Sequence, residues 1–127
     1  MAVELNHTIV PATDKRASAA FLADVLGLPT TDSPPFVAVR LANGVTLDFM
    51  DTANVSPQHY AFLLGDDEWD AAYEKLIDHG TQTWADPDHH EPGRINQRWG
   101  GRGVYFPDPA GHNMEIMTAT PDRPRQK

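Results

Sequence analysis

The residues in this chain able to do chemistry are histidines and carboxylates, and four of them recur at matched places. LNHTIV carries His7, QHYAFLL carries His59, VTLDFM carries Asp48 and HNMEIM carries Glu115, the two acids each inside an apolar run. Overlaying the two halves of the chain puts Asn6-His7-Thr8-Ile9-Val10 on Gln58-His59-Tyr60-Ala61-Phe62, and Leu47-Asp48-Phe49-Met50 on Met114-Glu115-Ile116-Met117. All four segments read as strands, so a two-residue period decides which side chains share a face. His7 falls with Leu5 and Ile9, His59 with Ala61 and Leu63, Asp48 with Thr46 and Met50, and Glu115 with Asn113 and Met117. If those faces form the core, the two acids are buried at a cost on the order of several kcal/mol each unless a cation meets them. None of the four segments contains Lys or Arg. A divalent ion held by two neutral imidazoles and two carboxylates supplies the missing charge, and a chain without cysteine can offer only such nitrogen and oxygen ligands.

The elements that must position these groups form two similar modules, residues 4–52 and 57–119, with a Pro-rich, charged tail over 120–127 expected to fray. In the first, a strand over 4–10 ends at Pro11. A helix over 14–26 follows, capped by Thr13 or Asp14 and stopped by Gly27 and Pro29. Strands over 36–41 and 45–50 then meet at the Asn-Gly turn of Ala42-Asn43-Gly44. In the second, a strand over 58–64 leads to a helix with Asp66 or Asp67 as its N-cap, an apolar face of Trp69, Ala72, Tyr73 and Leu76, and Gly80 at its end. A strand candidate over 81–84, a polar loop over 86–103 and a hairpin about Asp108-Pro109-Ala110-Gly111 complete it. Both halves spell strand, helix, three strands.

The bulk properties bound the function. A chain of 127 residues with 40% hydrophobic content holds one core. A net charge of -8 without a cationic stripe excludes nucleic acid and anionic membrane surfaces as partners. No apolar run approaches the roughly 20 residues that span a bilayer. The opening MAVELNHT lacks a signal-peptide pattern, so the expected address is the cytoplasm and the expected partner a small molecule.

LNHTIV, QHYAFLL and GVYFPDPAGHNMEIM together resemble the vicinal oxygen chelate superfamily of glyoxalase I, extradiol dioxygenases, fosfomycin-resistance thiol transferases and bleomycin-resistance proteins, over about residues 4–119. The resemblance implies an α+β fold of two βαβββ modules making an open, cupped, eight-stranded mixed sheet, commonly in a homodimer. It maps metal ligands onto His7, His59 and Glu115. Asp48 falls where glyoxalase I has a fourth carboxylate, one methylene shorter here. Tyr105 precedes the last hairpin where fosfomycin-resistance proteins have a substrate-contacting Tyr.

Each assignment has a plainer rival. A single inward His is more often a hydrogen-bonded core residue than a ligand, and repetition with acids is what favours the metal. Asp48 serves as ligand, as a proton-abstracting base in a role that Glu115 could fill instead, or only as an acceptor for a neighbouring strand. Tyr105 is a substrate donor or a core aromatic. Arg94, Arg98, Trp99 and Arg102 in the long loop suit an anionic or planar substrate, or else pair with nearby acids. His79 is assigned to a helix end, His89 and His90 to solvent and His112 to structure. The ligand types suit Fe, Mn, Ni, Co or Zn. No Lys lies between Lys75 and Lys127, against a fosfomycin thiol transferase, and no His lies between His7 and His59, against an extradiol dioxygenase. Glyoxalase-like lyase or isomerase chemistry therefore leads, ahead of ring cleavage or drug sequestration.

Overall fold

The computed structural model describes residues 2–125. The chain runs β1 (His7–Ala12), α1 (Lys15–Leu26), β2 (Thr31–Ser33), β3 (Phe36–Arg40), β4 (Thr46–Asp51), β5 (His59–Leu63), α2 (Asp66–Asp78), β6 (Gly103–Pro107) and β7 (Asn113–Met117). The α+β class and the paired modules are as expected. Each module closes its own sheet, one with order β1-β4-β3-β2 and one with order β5-β7-β6.

The internal repeat is reproduced in the hydrogen-bond register. β1 pairs in parallel with β4 so that Ile9 faces Asp48, and β5 pairs in parallel with β7 so that Ala61 faces Glu115. Each histidine therefore stands two residues before the partner of its module's acid.

Among the described residues the strands make two sheets of four and three in place of a single eight-stranded one. The strand expected at 81–84 is reduced to bridges at Trp84, with Tyr105 on one side and Pro92 on the other. The following loop folds back and takes the neighbouring hydrogen bonds: the Gly93 N–H donates to the Thr83 carbonyl and the Ala85 N–H to that of Glu91.

Helix α1 starts where Asp14 accepts from the Arg16 and Ala17 N–H groups, each at 3.1 Å, and ends at Gly27 with φ 70°. Helix α2 departs from expectation: Gly65 is its N-cap, with no side-chain cap bond. Asp66 turns instead toward Arg125 and Arg102. β1 continues through Pro11 because it is an edge strand, where a missing N–H costs no ladder bond.

One core joins the modules. Val10, Leu22, Phe49, Trp69, Phe106, Met114 and Ile116 are all buried in it. Phe21 of α1 meets Phe106 of β6 at 6.2 Å, and the Trp69 indole donates to the Ile116 carbonyl. His112, fully buried, joins the modules: its Nδ1 accepts from the Gln58 N–H at 3.0 Å and its Nε2–H donates to the Pro11 carbonyl at 2.7 Å. His79 pairs across the helices with Asp24 at 2.8 Å, and this bond holds the Asp24 carboxyl below its usual range. The tail is tied where it was expected to fray: Arg125 bonds Asp66 at 2.6 Å and the Trp99 carbonyl, while residues 126–127 lie outside the described part.

Candidate functional site

The four polar groups do share faces as the two-residue period requires, yet that face is not the core. In β1 the buried residues are Val10 and Ala12, and in β5 Phe62, so His7, Ile9, His59, Ala61 and Leu63 are exposed on the opposite side. Both sheets turn their Val10 and Phe62 faces toward the shared core, so the faces with the histidines turn outward.

On the second sheet the site assembles. His59 Nε2 lies 3.0 Å from Glu115 Oε1, with the Glu115 side chain only 7% exposed and that of His59 49% exposed. Directly opposed residues share a face. The register therefore lays Ala61, Glu115, Tyr105 and Trp84 in one row across the sheet, with His59 and Asn113 opposed in the next. The Tyr105 ring centroid is 5.7 Å from that of His59. Arg98 donates to the Tyr105 hydroxyl at 2.8 Å, its guanidinium 5.6 Å from the ring centre. Burial and the Glu115 charge push the Tyr105 phenol up against the opposing pull of Arg98, so it stays a donor across the neutral range.

The remaining residues are dispersed. His7 belongs to the other sheet, where its ring, among the described residues, bonds only the Asn6 side chain, at 2.8 Å. Asp48, half-buried, also lies there, opposed to Ala38 of β3. Among the described residues no group of three or more His, Asp or Glu side chains gathers at metal-binding distance. Convergence of His7, His59, Asp48 and Glu115 within one chain is thereby corrected. The His59–Glu115 pair has donor atoms of the types that could hold a divalent ion, two of the several such an ion would need.

The loop residues divide likewise. Arg98 stands at the site. Arg102 lies toward α2, bound to Asp70 at 2.6 Å and 4.4 Å from the centre of the Trp69 ring, so it is a structural cation and not a substrate contact. Arg94 is exposed, and Trp99, at 40% exposure, holds a left-handed φ of 53°.

His89, assigned to solvent from sequence, is half-buried and stacks on Trp84 with centroids 3.8 Å apart. The sole signal for it in sequence was its loop, since the bridge that places Trp84 beside Tyr105 is a tertiary contact.

Comparison with known proteins settles the lineage. Residues 4–116 match the model of the Glyoxalase/Bleomycin resistance protein/Dioxygenase superfamily. The chain belongs to that superfamily. Among solved structures, it is similar to Oxidase ChaP-H1, at 55% identity and a TM-score of 0.91 over 94% of this chain and 98% of that one. Oxidase ChaP-H2 is 52% identical with a TM-score of 0.92, over 94% and 96% respectively. Metallothiol transferase FosB of Lysinibacillus sphaericus (strain C3-41) is 27% identical over 91% of this chain and 82% of its own length.

Proposed function

We propose that this superfamily member is a divalent-metal-dependent oxidase acting on a small substrate with two adjacent oxygens, with each site completed by a second copy of the chain. The observation that carries this is the His59–Glu115 pair at 3.0 Å, standing at the same register positions that hold His7 and Asp48 in the other module. One imidazole and one carboxylate on each module's outward face make an incomplete set. If the partner lays its β1 face beside this chain's β5, His7 of the partner subunit becomes the third ligand. Asp48 is then a fourth oxygen or a hydrogen-bonding neighbour.

The apolar surroundings support that docking. Leu5, Ile9 and Leu63 are 67%, 45% and 41% exposed on the same faces as the histidines, and apolar side chains grouped around ligating residues are stabilised by a covering partner. A two-His, one-carboxylate set leaves coordination positions for both substrate oxygens and suits Fe(II), the redox-active choice among Fe, Mn, Ni, Co and Zn. A bound ion of this kind supplies Lewis acidity and a route for electrons to dioxygen.

The chain's own residues do the rest. Glu115 and His59 present donors from a rigid sheet, with the Glu115 carboxylate itself largely shielded from bulk water. Tyr105, kept protonated, donates to a substrate oxygen, and Arg98 holds the phenol in place while adding positive charge where an enolate or phenolate would sit. The 52–55% identity to two oxidases supports oxidation over the lyase or isomerase chemistry that the sequence favoured.

Complementation between subunits tests the arrangement. His7→Ala and Glu115→Ala homodimers should each bind little Fe(II), whereas co-expressed chains should form mixed dimers with one intact site and about half the wild-type metal. Oxygen-electrode traces with Fe(II)-loaded protein and a panel of catechols, α-keto thiohemiacetals and epoxides should show uptake with a catechol. Product formation without oxygen uptake would falsify the oxidase reading.

A further inference from the structure

Arg98 reaches Tyr105 from the tip of a loop whose shape is fixed from outside as well as from within. The base of the loop is closed where Asn96 and Gly103 exchange backbone hydrogen bonds at 3.0 and 3.1 Å. Between them the chain reverses at Trp99 and Gly100, with φ values of 53° and 81°. The first is a left-handed conformation that is costly for an aromatic residue, so contacts around the loop must favour it. The reversal separates two guanidinium groups. Arg98, before it, donates to the Tyr105 hydroxyl at 2.8 Å, and Arg102, after it, bonds Asp70 at 2.6 Å.

The outside contacts come from residues 118–125. Thr118 pairs with Arg102 in both directions, its N–H donating to the Arg102 carbonyl at 3.0 Å and its Oγ1 accepting from the Arg102 N–H at 2.9 Å. The chain then turns back on itself, with Thr120 and Arg123 bridged through their backbones. That turn brings Arg125 to the reversal, where its N–H donates to the Trp99 carbonyl at 2.6 Å. The Arg125 guanidinium is anchored on Asp66 at the start of α2, also at 2.6 Å. The fit leaves no slack: a Cβ at Gly100 would overlap the Arg125 carbonyl oxygen, and one at Gly101 would lie 2.6 Å from Thr118 Oγ1. The residue next to Arg98 is thus tied to a helix.

We propose that Arg125 is a positioning residue for the site, keeping the Arg98 guanidinium on the Tyr105 hydroxyl through its hold on the Trp99 carbonyl. The consequence for the reaction rests on the role given to Arg98 above; the placement of Arg98 does not.

Heteronuclear NMR of the isotope-labelled chain reads that placement directly. The Arg98 guanidinium signal, identified by its absence in Arg98→Met, is shifted by the Tyr105 ring 5.6 Å away, and Tyr105→Leu gives its position without that ring. Arg125→Pro removes both the N–H and the guanidinium and should move the signal to the Tyr105→Leu position. Arg125→Ala removes the anchor alone and should move it part of the way. Arg125→Lys keeps the N–H and a cation for Asp66, and should leave the signal as in wild type. The Arg102 signal, shifted by the Trp69 ring at 4.4 Å, should stay in place throughout and shows that each variant folds. An Arg98 signal unmoved in Arg125→Pro, or in Arg125→Ala should the proline variant not fold, overturns the proposal. So does an Arg125→Lys signal displaced as far as that of Arg125→Pro. With Fe(II)-loaded protein and catechol, Arg125→Pro should lower kcat/KM for oxygen uptake as much as Arg98→Met does, and the double variant should lose no more than either alone. Losses that multiply would mean that Arg125 acts apart from Arg98, against the proposal. If wild-type protein takes up no oxygen, the oxidase reading fails, and the NMR signals still decide whether Arg125 places Arg98.

Discussion

Tyr105 and Asp108 sit on one hairpin, and burial raises the hold of each on its proton. Tyr105 keeps its proton because burial and Glu115 disfavour the phenolate. Tyr105→Phe should therefore leave metal binding intact and lower kcat/KM by roughly 10²-fold, the scale of losing one donor to developing charge. Arg98→Met should cost less, since it removes the charge and leaves the phenol in place; equal losses would mean that Arg98 contacts substrate directly. Asp108 Oδ1 accepts from the Ala110 and His112 N–H groups at 3.0 and 2.8 Å, while Oδ2, among the described residues, has no partner. Burial pushes this carboxyl up. The folded chain thus holds the proton more tightly than the unfolded chain, so the stabilisation is full below the ordinary Asp value near 3.9 and is lost as pH rises through the raised one. Asp108→Asn keeps the Oδ1 acceptor and removes the titration. Its urea midpoint should depend less on pH above about 4 than that of wild type, and identical pH slopes would show an unshifted carboxyl.

Helix and strand boundaries were legible where one local interaction decides them. Asp14 caps α1 through two N–H groups, and Asp14→Ala should lower stability by about 1 kcal/mol in chemical denaturation. The start of α2 misled because Asp66 has charged partners in Arg102 and Arg125, which lie far along the chain, and those ion pairs outcompete a local cap. The loop over 86–103 hid most. Its Asp86 carboxylate accepts from the His90 and Glu91 N–H groups, and the Asn96 amide donates to the Ala85 carbonyl, fixing a path that no periodicity marks. That path stacks His89 on Trp84, carries Arg98 to the site and sends Arg102 to the helix side.

The two modules share one core, which turns the faces carrying His7 and His59 outward, and on the proposed reading a single chain is half of a working unit. Ile9→Lys places a charge in the exposed apolar strip beside His7 and should give monomers in gel filtration that bind little metal, with far-ultraviolet circular dichroism unchanged. A dimer that persists in Ile9→Lys would show that copies meet elsewhere. The sequence by itself determined the repeat, the α+β modules and the face-sharing of His59 with Ala61 and of Glu115 with Met117, because a strand's two-residue period and a turn's residue preferences are properties of neighbours along the chain. Only the tertiary structure decided which face became the core and that His7 stands apart from His59. It also decided that Trp84 and Arg98 meet Tyr105, with His89 stacked on Trp84. Those outcomes depend on which surfaces bury the most apolar area against each other, a competition among residues distant in sequence that no local pattern encodes.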